Sequence, residues 1–225
     1  MKKSCLLDVI HSRRSVRRFL ANPIEKRHLD QILDAARVAP SGGNLQGWRF
    51  IVVQKRDLIA RIESAIRKEM LAFMHEFPKV MRGNTENSEY YASSLIRRLE
   101  SSSLFFAGAP VIIAVLYELN LYNQPYIDFL MRTGKDRYEA YRSMGYVEVQ
   151  SVAAATQNML LAAHSLGYGC CWMNVPFIAL KEIKEILGIF HPWELSALIP
   201  IGRPDPRFTP NPPRKKMIEE IVTYR

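Results

Sequence analysis

The chain has 225 residues, of which 48% are hydrophobic and 24% charged, which predicts a single soluble globular domain and excludes global disorder. Its formal net charge is +9, from 31 basic and 22 acidic residues, and this favours anionic partners without defining a fold. Three cysteines without zinc-ligand spacing, and no segment resembling a signal peptide or a membrane span, lead us to expect a cytoplasmic protein with no metal site.

The first half of the chain alternates helical and strand patterns. Apolar residues at helical spacing predict a short helix over residues 6–10, a second helix that Pro40 ends, and a third over residues 57–74. The apolar run of residues 48–54 is typical of a buried strand. Between them, "SGGN" at residues 41–44 is a loop of small residues that allows a ligand to approach the backbone closely.

The second half contains the most apolar segments. Residues 109–117 and 195–202 are predicted strands, and residues 179–187 a helix. Residues 146–167 are apolar almost all round, so we expect a long buried helix that ends at Gly167. A short strand and turn should follow it at "YGCCWMNVP". Residues 75–106 are mixed in character, and we interpret residues 118–146 as an irregular insertion.

Mixed helices and strands without a clear linker predict one α+β domain over residues 1–225, a sandwich of helices around one small sheet. The arm of residues 203–225 begins with "RPDPRFTPNPP", where five prolines between residues 204 and 213 exclude a helix or a central strand. We expect this arm to run extended over a surface of its own subunit or of a partner.

Four segments have the composition of a ligand site. "SRRSVRRF" places four arginines within six residues, and "PPRKK" is also basic; "APSGGNLQGW" and "GYGCCWMN" offer small residues and backbone amides. Arginine forks, a hydroxyl and amides together suit a phosphate group. Each segment also has a simpler interpretation: a solvated basic face, a turn, core tryptophans, and cysteines that are small strand residues.

These segments follow one another along the chain, with "APVIIAV" before "GYGCCWMN" and "IGRPDP…PPRKKMIEEIV" after it. In this order they resemble the nitroreductase family of FMN-dependent oxidoreductases. The opening and the Pro-Ser-Gly loop are most similar to the iodotyrosine deiodinase branch. The chain departs from the family pattern at Gly47 and Met217, where the family usually has proline. The resemblance implies a mostly antiparallel sheet flanked by helices, an insertion or lid at about residues 75–146, and a C-terminal arm exchanged between subunits.

The resemblance also implies a homodimer with FMN at the subunit interface, and it assigns the residues that bind the cofactor. Those expected near the FMN phosphate are Arg13, Arg14, Ser15 and either Arg214 or Lys215. Arg17 should lie near the pyrimidine edge of the flavin, where a positive charge stabilises the reduced ring. The ribityl chain and ring should meet Pro40, Ser41, Asn44 and Gln46 from the loop. The hydride-accepting nitrogen should face the backbone of Trp172, Met173 and Asn174.

The implied activity is a ping-pong reaction in which NADH or NADPH reduces FMN and an electron-poor acceptor, such as a nitroaromatic or a quinone, is then reduced. No side chain of the protein is expected to be catalytic, because the cofactor supplies the chemistry. The alternative enzyme is a reductive dehalogenase of halogenated aromatics, with lid residues Glu69, Glu76, Tyr90, Tyr91 and Arg97. A nucleic-acid-binding protein is the non-enzyme alternative; it has only the net charge in its favour, since no recognition motif is present.

Overall fold

The computed structural model describes residues 5–81, 103–119, 124–174, 178–208, 212 and 214–225. The described residues contain seven α-helices and four β-strands. The helices are α1 (Leu6–Ser12), α2 (Lys26–Arg37), α3 (Arg56–Met81), α4 (Gln124–Arg132), α5 (Arg137–Ser143), α6 (Val147–Ser165) and α7 (Leu180–Leu187). The strands are β1 (Trp48–Val53), β2 (Val111–Glu118), β3 (Gly169–Cys170) and β4 (Trp193–Gly202).

The four strands form one antiparallel sheet in the order β1-β2-β4-β3. Strand β2 lies in the interior of this sheet, and its residues 111–116 are all buried. Successive side chains of a strand point to opposite faces, so a strand covered on both faces is apolar at every position. This explains the uninterrupted run "VIIAVL" and confirms the predicted α+β class.

Two layers of helices cover the two faces of the sheet. On one face, α2 and α6 pack against Ile113 and Ile199; on the other, α3 and α7 pack against Ile112 and Leu198. Each fully buried aliphatic side chain of this kind contributes about 1.5–3 kcal/mol relative to its exposed state. The predicted sandwich of helices around one small sheet is therefore confirmed.

The segment 118–146 differs from the prediction of an irregular insertion, because it contains α4 and α5. The side chain of Asp136 accepts a hydrogen bond from the Glu139 amide at 2.8 Å, and Glu139 accepts one from the Asp136 amide at 3.0 Å. This reciprocal capping starts α5. Ile127, Leu130 and Ala140 then form a small buried cluster between the two helices. Helix α3 is also longer than predicted, because it continues to Met81.

The C-terminal arm begins by pairing with the arginine segment. Leu20 donates its amide hydrogen to the Arg203 carbonyl at 2.9 Å, and the Asp205 amide donates to the Arg18 carbonyl at 3.1 Å. Pro204 stands between these bonds, where its lack of an amide hydrogen breaks no pairing. All of residues 214–225 are exposed, and only a single 3-10 turn, Ile218–Glu220, is present among them.

Candidate functional site

The arginine segment lies directly beside strand β3. Ser15 forms a parallel bridge with Cys170, and the Val16 amide donates to the Cys170 carbonyl at 3.0 Å. The approach requires a glycine: a Cβ atom on Gly169 would lie 2.7 Å from the side chain of Val16. Two segments that are more than 150 residues apart in sequence are thereby brought into contact, as the phosphate-site prediction requires.

The arginines of this segment have no acidic partner in the part of the chain that the structure describes. None of Arg13, Arg14, Arg17 and Arg18 forms an ion pair within the described residues. Arg14 donates to the carbonyls of His11 and Arg13, at 2.6 and 2.9 Å, and Arg17 lies 5.7 Å from the ring centroid of Phe105. A cluster of guanidinium groups without carboxylates suits an anion, and a phosphate most of all.

The two thiols beside the arginines are not nucleophiles. Burial raises the pKa of Cys170 to about 12. Burial also raises the pKa of Cys171, although Arg17, a hydrogen bond from Ser15 and Arg13 each act in the opposite direction. Both thiols are therefore protonated at neutral pH. Cys170 is a buried strand residue, as predicted, whereas Cys171 is buried just beyond the end of β3.

His164, on the last turn of α6, faces the same arginines. Its Nε2 lies 2.8 Å from the Ser12 hydroxyl, whose hydrogen is directed to the Asp8 carbonyl at 2.5 Å. The Ser12 oxygen therefore accepts a hydrogen bond from Nε2–H of His164. Burial lowers the pKa of His164, and the positive charges of Arg13 and Arg14 lower it further.

The loop that contains Ser41 is held against the opposite end of α6. The Gly42 amide donates to the Ser151 hydroxyl at 3.2 Å, and the Gln46 amide donates to the Ser41 hydroxyl at 3.0 Å. Asn44 and Gln46 have φ angles of 55° and 53°, which are uncommon outside glycine and cluster at functional sites. Their side chains and that of Pro40 are exposed, so they are accessible to a ligand.

The predicted site residues therefore fall into two groups that one chain keeps apart. Ser151 holds the loop, and His164 contacts the arginine segment; on the same helix these two residues lie about 20 Å apart at the α-helical rise. The sheet also keeps them apart, because Trp48 follows the loop on the β1 edge while Met173 pairs with Leu198 of β4, on the side of the sheet where β3 lies. We call the group of Arg13, Arg14, Ser15 and Arg17 the arginine half of the site. We call the group of Pro40, Ser41, Asn44 and Gln46 the loop half of the site.

The segment 172–174 belongs to the arginine half. Met173 is buried, and both its amide and its carbonyl are bonded to Leu198 at 3.1 Å. The amides of Trp172 and Asn174 donate to no acceptor within the described residues, and both residues are exposed. Met173 thus holds the segment on the sheet, and the amide groups of Trp172 and Asn174 are available to a ligand.

Arg214 and Lys215 are not brought to the arginine half of the site by their own chain. Both are exposed, and neither makes a hydrogen bond or an ion pair with any described residue. Their expected contact with a phosphate therefore stays a prediction. Among the lid residues, Tyr90, Tyr91 and Arg97 lie outside the described residues; Glu69 lies 3.8 Å from Lys68, and Glu76 lies 2.7 Å from His75.

Comparison with known proteins identifies the family. The nitroreductase family model matches residues 10–203. The chain belongs to the nitroreductase family. A candidate NADH dehydrogenase/NAD(P)H nitroreductase of Archaeoglobus fulgidus is 27% identical over 91% of this chain and 94% of its own length. The iodotyrosine deiodinase of Thermotoga neapolitana is 25% identical over 97% of this chain and 98% of its own length.

Solved structures of the nitroreductase family share this fold. A BluB-like flavoprotein of Clostridium difficile is 30% identical, with a TM-score of 0.85 over 98% of this chain and 99% of that one. A Desulfitobacterium hafniense nitroreductase with bound FMN is 25% identical, with a TM-score of 0.67 over 100% of this chain and 98% of that one. In the part of the chain that the structure describes, no helix has the length and apolarity needed to cross a membrane.

Sequence reasoning did not find three polar residues that the structure places at the two ends of α6. His164 is 152 positions from Ser12, and no local pattern connects them. Glu148 and Tyr141 each have a buried oxygen without a hydrogen-bond partner in the described residues. Leaving such a group unsatisfied costs about 1–3 kcal/mol. The sequence did contain a signal for Glu148, because it is the only acidic residue of helix α6.

Proposed function

We propose that this member of the nitroreductase family is a homodimeric FMN flavoprotein that oxidises NADH or NADPH and reduces electron-poor acceptors such as nitroaromatics or quinones. The observation that carries the proposal is the set of arginines beside β3 that lack an acidic partner, in a chain whose relative of known structure binds FMN. Bound FMN would supply the hydride and electron transfer. The protein would supply binding, orientation and charge.

The arginine half of the site fits the phosphate end of FMN. Arg13 and Ser15 would hold the phosphate, with Arg14 oriented by its bonds to the His11 and Arg13 carbonyls. Arg17, exposed beside Phe105, would place a positive charge at the edge of the flavin ring where negative charge develops on reduction. The available amides of Trp172 and Asn174 would face the ring from the same side.

The distance between the two halves supports the homodimer. About 20 Å separates the arginine half from the loop half in one chain, which is more than the length of a three-ring flavin system. If both halves contact the same flavin ring, the loop half would come from the other subunit. Apolar side chains exposed on α1 and on the C-terminal arm support such an association. These residues are Leu6, Leu7, Ile10, Met217, Ile218, Ile221 and Tyr224.

Mixing two inactive variants tests this arrangement. The first variant is Arg13→Ala, which damages the arginine half; the second is Asn44→Ala with Gln46→Ala, which damages the loop half. Each homodimer should lose most of its FMN during dialysis. Chains co-expressed with different tags and purified as the heterodimer should retain up to half of the wild-type flavin, because one of the two sites then contains no substitution.

The controls separate the possible failures. Arg37→Ala removes an exposed arginine that is paired with Asp34, so its flavin content should match wild type. A heterodimer as flavin-free as its parents would contradict a site shared between subunits. Full flavin in the Arg13→Ala homodimer would contradict the phosphate assignment. Activity with a halotyrosine but not with nitroaromatics or quinones would favour the dehalogenase alternative.

A further inference from the structure

A pocket of about 440 Å³ opens at the N-terminal end of α6. The rings of Tyr117, Tyr138, Tyr141 and Tyr146 line it, together with Glu148 and Arg137. Glu148 also lines a small cleft with Ser41, Gly42 and Gly47 of the loop half. The pocket therefore adjoins the loop half of the proposed flavin site, about 20 Å from the arginine half of the same chain.

Two buried oxygen atoms belong to the walls of this pocket. Oε1 of Glu148 and the hydroxyl oxygen of Tyr141 are inaccessible and make no hydrogen bond within the described residues. Almost all buried polar groups in folded proteins have a partner. A rotation of the Glu148 carboxyl group toward the adjoining cavity would let a ligand supply the partner that it lacks. A carboxyl oxygen accepts hydrogen bonds, so the matching group of the ligand is a donor.

The electrostatic surroundings favour a cationic donor. Burial raises the pKa of Tyr117, and so do Glu194, Tyr141 and Glu148. Lys184 donates to both carboxylate oxygens of Glu194 at 2.9 Å, so Glu148 is the carboxyl group of this set without an ion pair among the described residues. Tyrosine faces also attract cations. Arg137 makes such a contact with one of these rings, because its guanidinium lies 5.9 Å from the ring centroid of Tyr141.

We propose that this tyrosine-lined pocket binds a planar aromatic compound carrying a protonated amine, which donates to Glu148 while the ring packs among the tyrosines. Residues of one chain line this pocket. Its role as the place where the electron acceptor sits rests on the proposed function, in which the adjoining loop contacts a flavin of the other subunit.

Calorimetric titration of the purified full-length protein with benzylamine, and with benzoate as the probe of opposite charge, tests the binding. Wild type should bind benzylamine more tightly than benzoate. Glu148→Gln keeps the shape of the side chain and should weaken the binding of benzylamine about tenfold. Tyr141→Phe should weaken this binding less. Glu185→Gln, an exposed substitution on α7, should have no effect. Equal benzylamine affinity in Glu148→Gln and wild type, or tighter binding of benzoate through Arg137, would overturn the proposal.

Kinetics with 4-nitrobenzylamine and 4-nitrobenzoate separate this inference from the proposed function. In a flavin-containing protein, Glu148→Gln should raise KM for the amine about tenfold and leave KM for the benzoate unchanged. Turnover of both compounds without any effect of the substitution would overturn the pocket but leave the flavoenzyme intact. A protein without flavin would refute the flavoenzyme, and the calorimetric result would still decide the pocket.

Discussion

At the residue scale, the arginine segment concentrates positive charge that no ion pair among the described residues neutralises. Arg13, Arg14 and Arg17 stand within five residues, and none is paired with a carboxylate in the described part of the molecule. Their mutual repulsion is a cost to the free protein that a bound dianion would relieve. The run of arginines was visible in the sequence, but its position beside β3 was implied only by the family resemblance, because that contact joins residues 15 and 170.

The positive charge of the arginine segment should make the stability of the protein depend on pH, because it acts on the pKa of His164. Its pKa is lowered by burial and by Arg13 and Arg14, so the unfolded chain takes up a proton at a higher pH than the folded chain. The free energy of unfolding should therefore fall as pH drops below the ordinary histidine value of 6.5. His164→Gln can still donate to Ser12 but cannot be protonated, so its thermal melting temperature should depend less on pH between 7 and 5.

A parallel loss of stability in the variant and in wild type would contradict this role of His164. If the glutamine variant and wild type lose stability in parallel over this range, then other groups account for the acid sensitivity, and His164 does not sense the arginines. His11→Gln, at an exposed position on α1, is the matched control and should leave the wild-type pH dependence unchanged.

At the element scale, two close approaches position the arginine segment. It runs between β3 and the start of the C-terminal arm, and both Gly169 and Gly202 are needed there. A Cβ atom on Gly202 would lie 2.7 Å from Pro110 and 3.2 Å from Phe19. Glycine at these points lets the backbone of the segment approach the sheet, which fixes the direction in which the neighbouring arginine side chains leave it.

Gly169→Ala should displace the arginine segment. The added methyl group would clash with Val16 at 2.7 Å, so we expect a loss of about 1–3 kcal/mol in the free energy of unfolding and weaker FMN retention. Val16→Ala would leave its own Cβ atom 2.7 Å from the added carbon, so only Val16→Gly in the same chain should restore part of both. Gly108→Ala, where no atom lies within 4 Å of the added carbon, should change neither. Unfolding in urea and flavin content after dialysis are the measurements, and an unaffected Gly169→Ala protein would refute the close contact.

The elements that could be predicted from sequence are those with one dominant pattern. Strand β2 and helix α6 are long and apolar, and α2 places Leu29, Ile32 and Ala36 on one face. Helices α4 and α5 were missed because they are short and bury few residues, although Asp136 and Glu139 formed a recognisable capping box. Patterns identify elements well when burial imposes them and poorly when tyrosines and charges remain at the surface.

At the scale of the whole molecule, α6 determines the architecture of the site. Its contacts with the loop half, at Ser151, and with the arginine segment, at His164, lie about 20 Å apart along the helix. The sequence contained both motifs, and their combination into one site was implied only by the resemblance. Local patterns could not show the separation, since it depends on which ends of α6 contact Ser12 and Gly42.

The visible absorption spectrum of the purified protein, followed by acid release of whatever is bound, tests the central claim most directly. The account predicts flavin absorption bands, released FMN at about one per chain, and bleaching of the bands by NADH or NADPH. A colourless protein that also fails to take up added FMN would contradict it, and the arginines beside β3 would then be a basic surface.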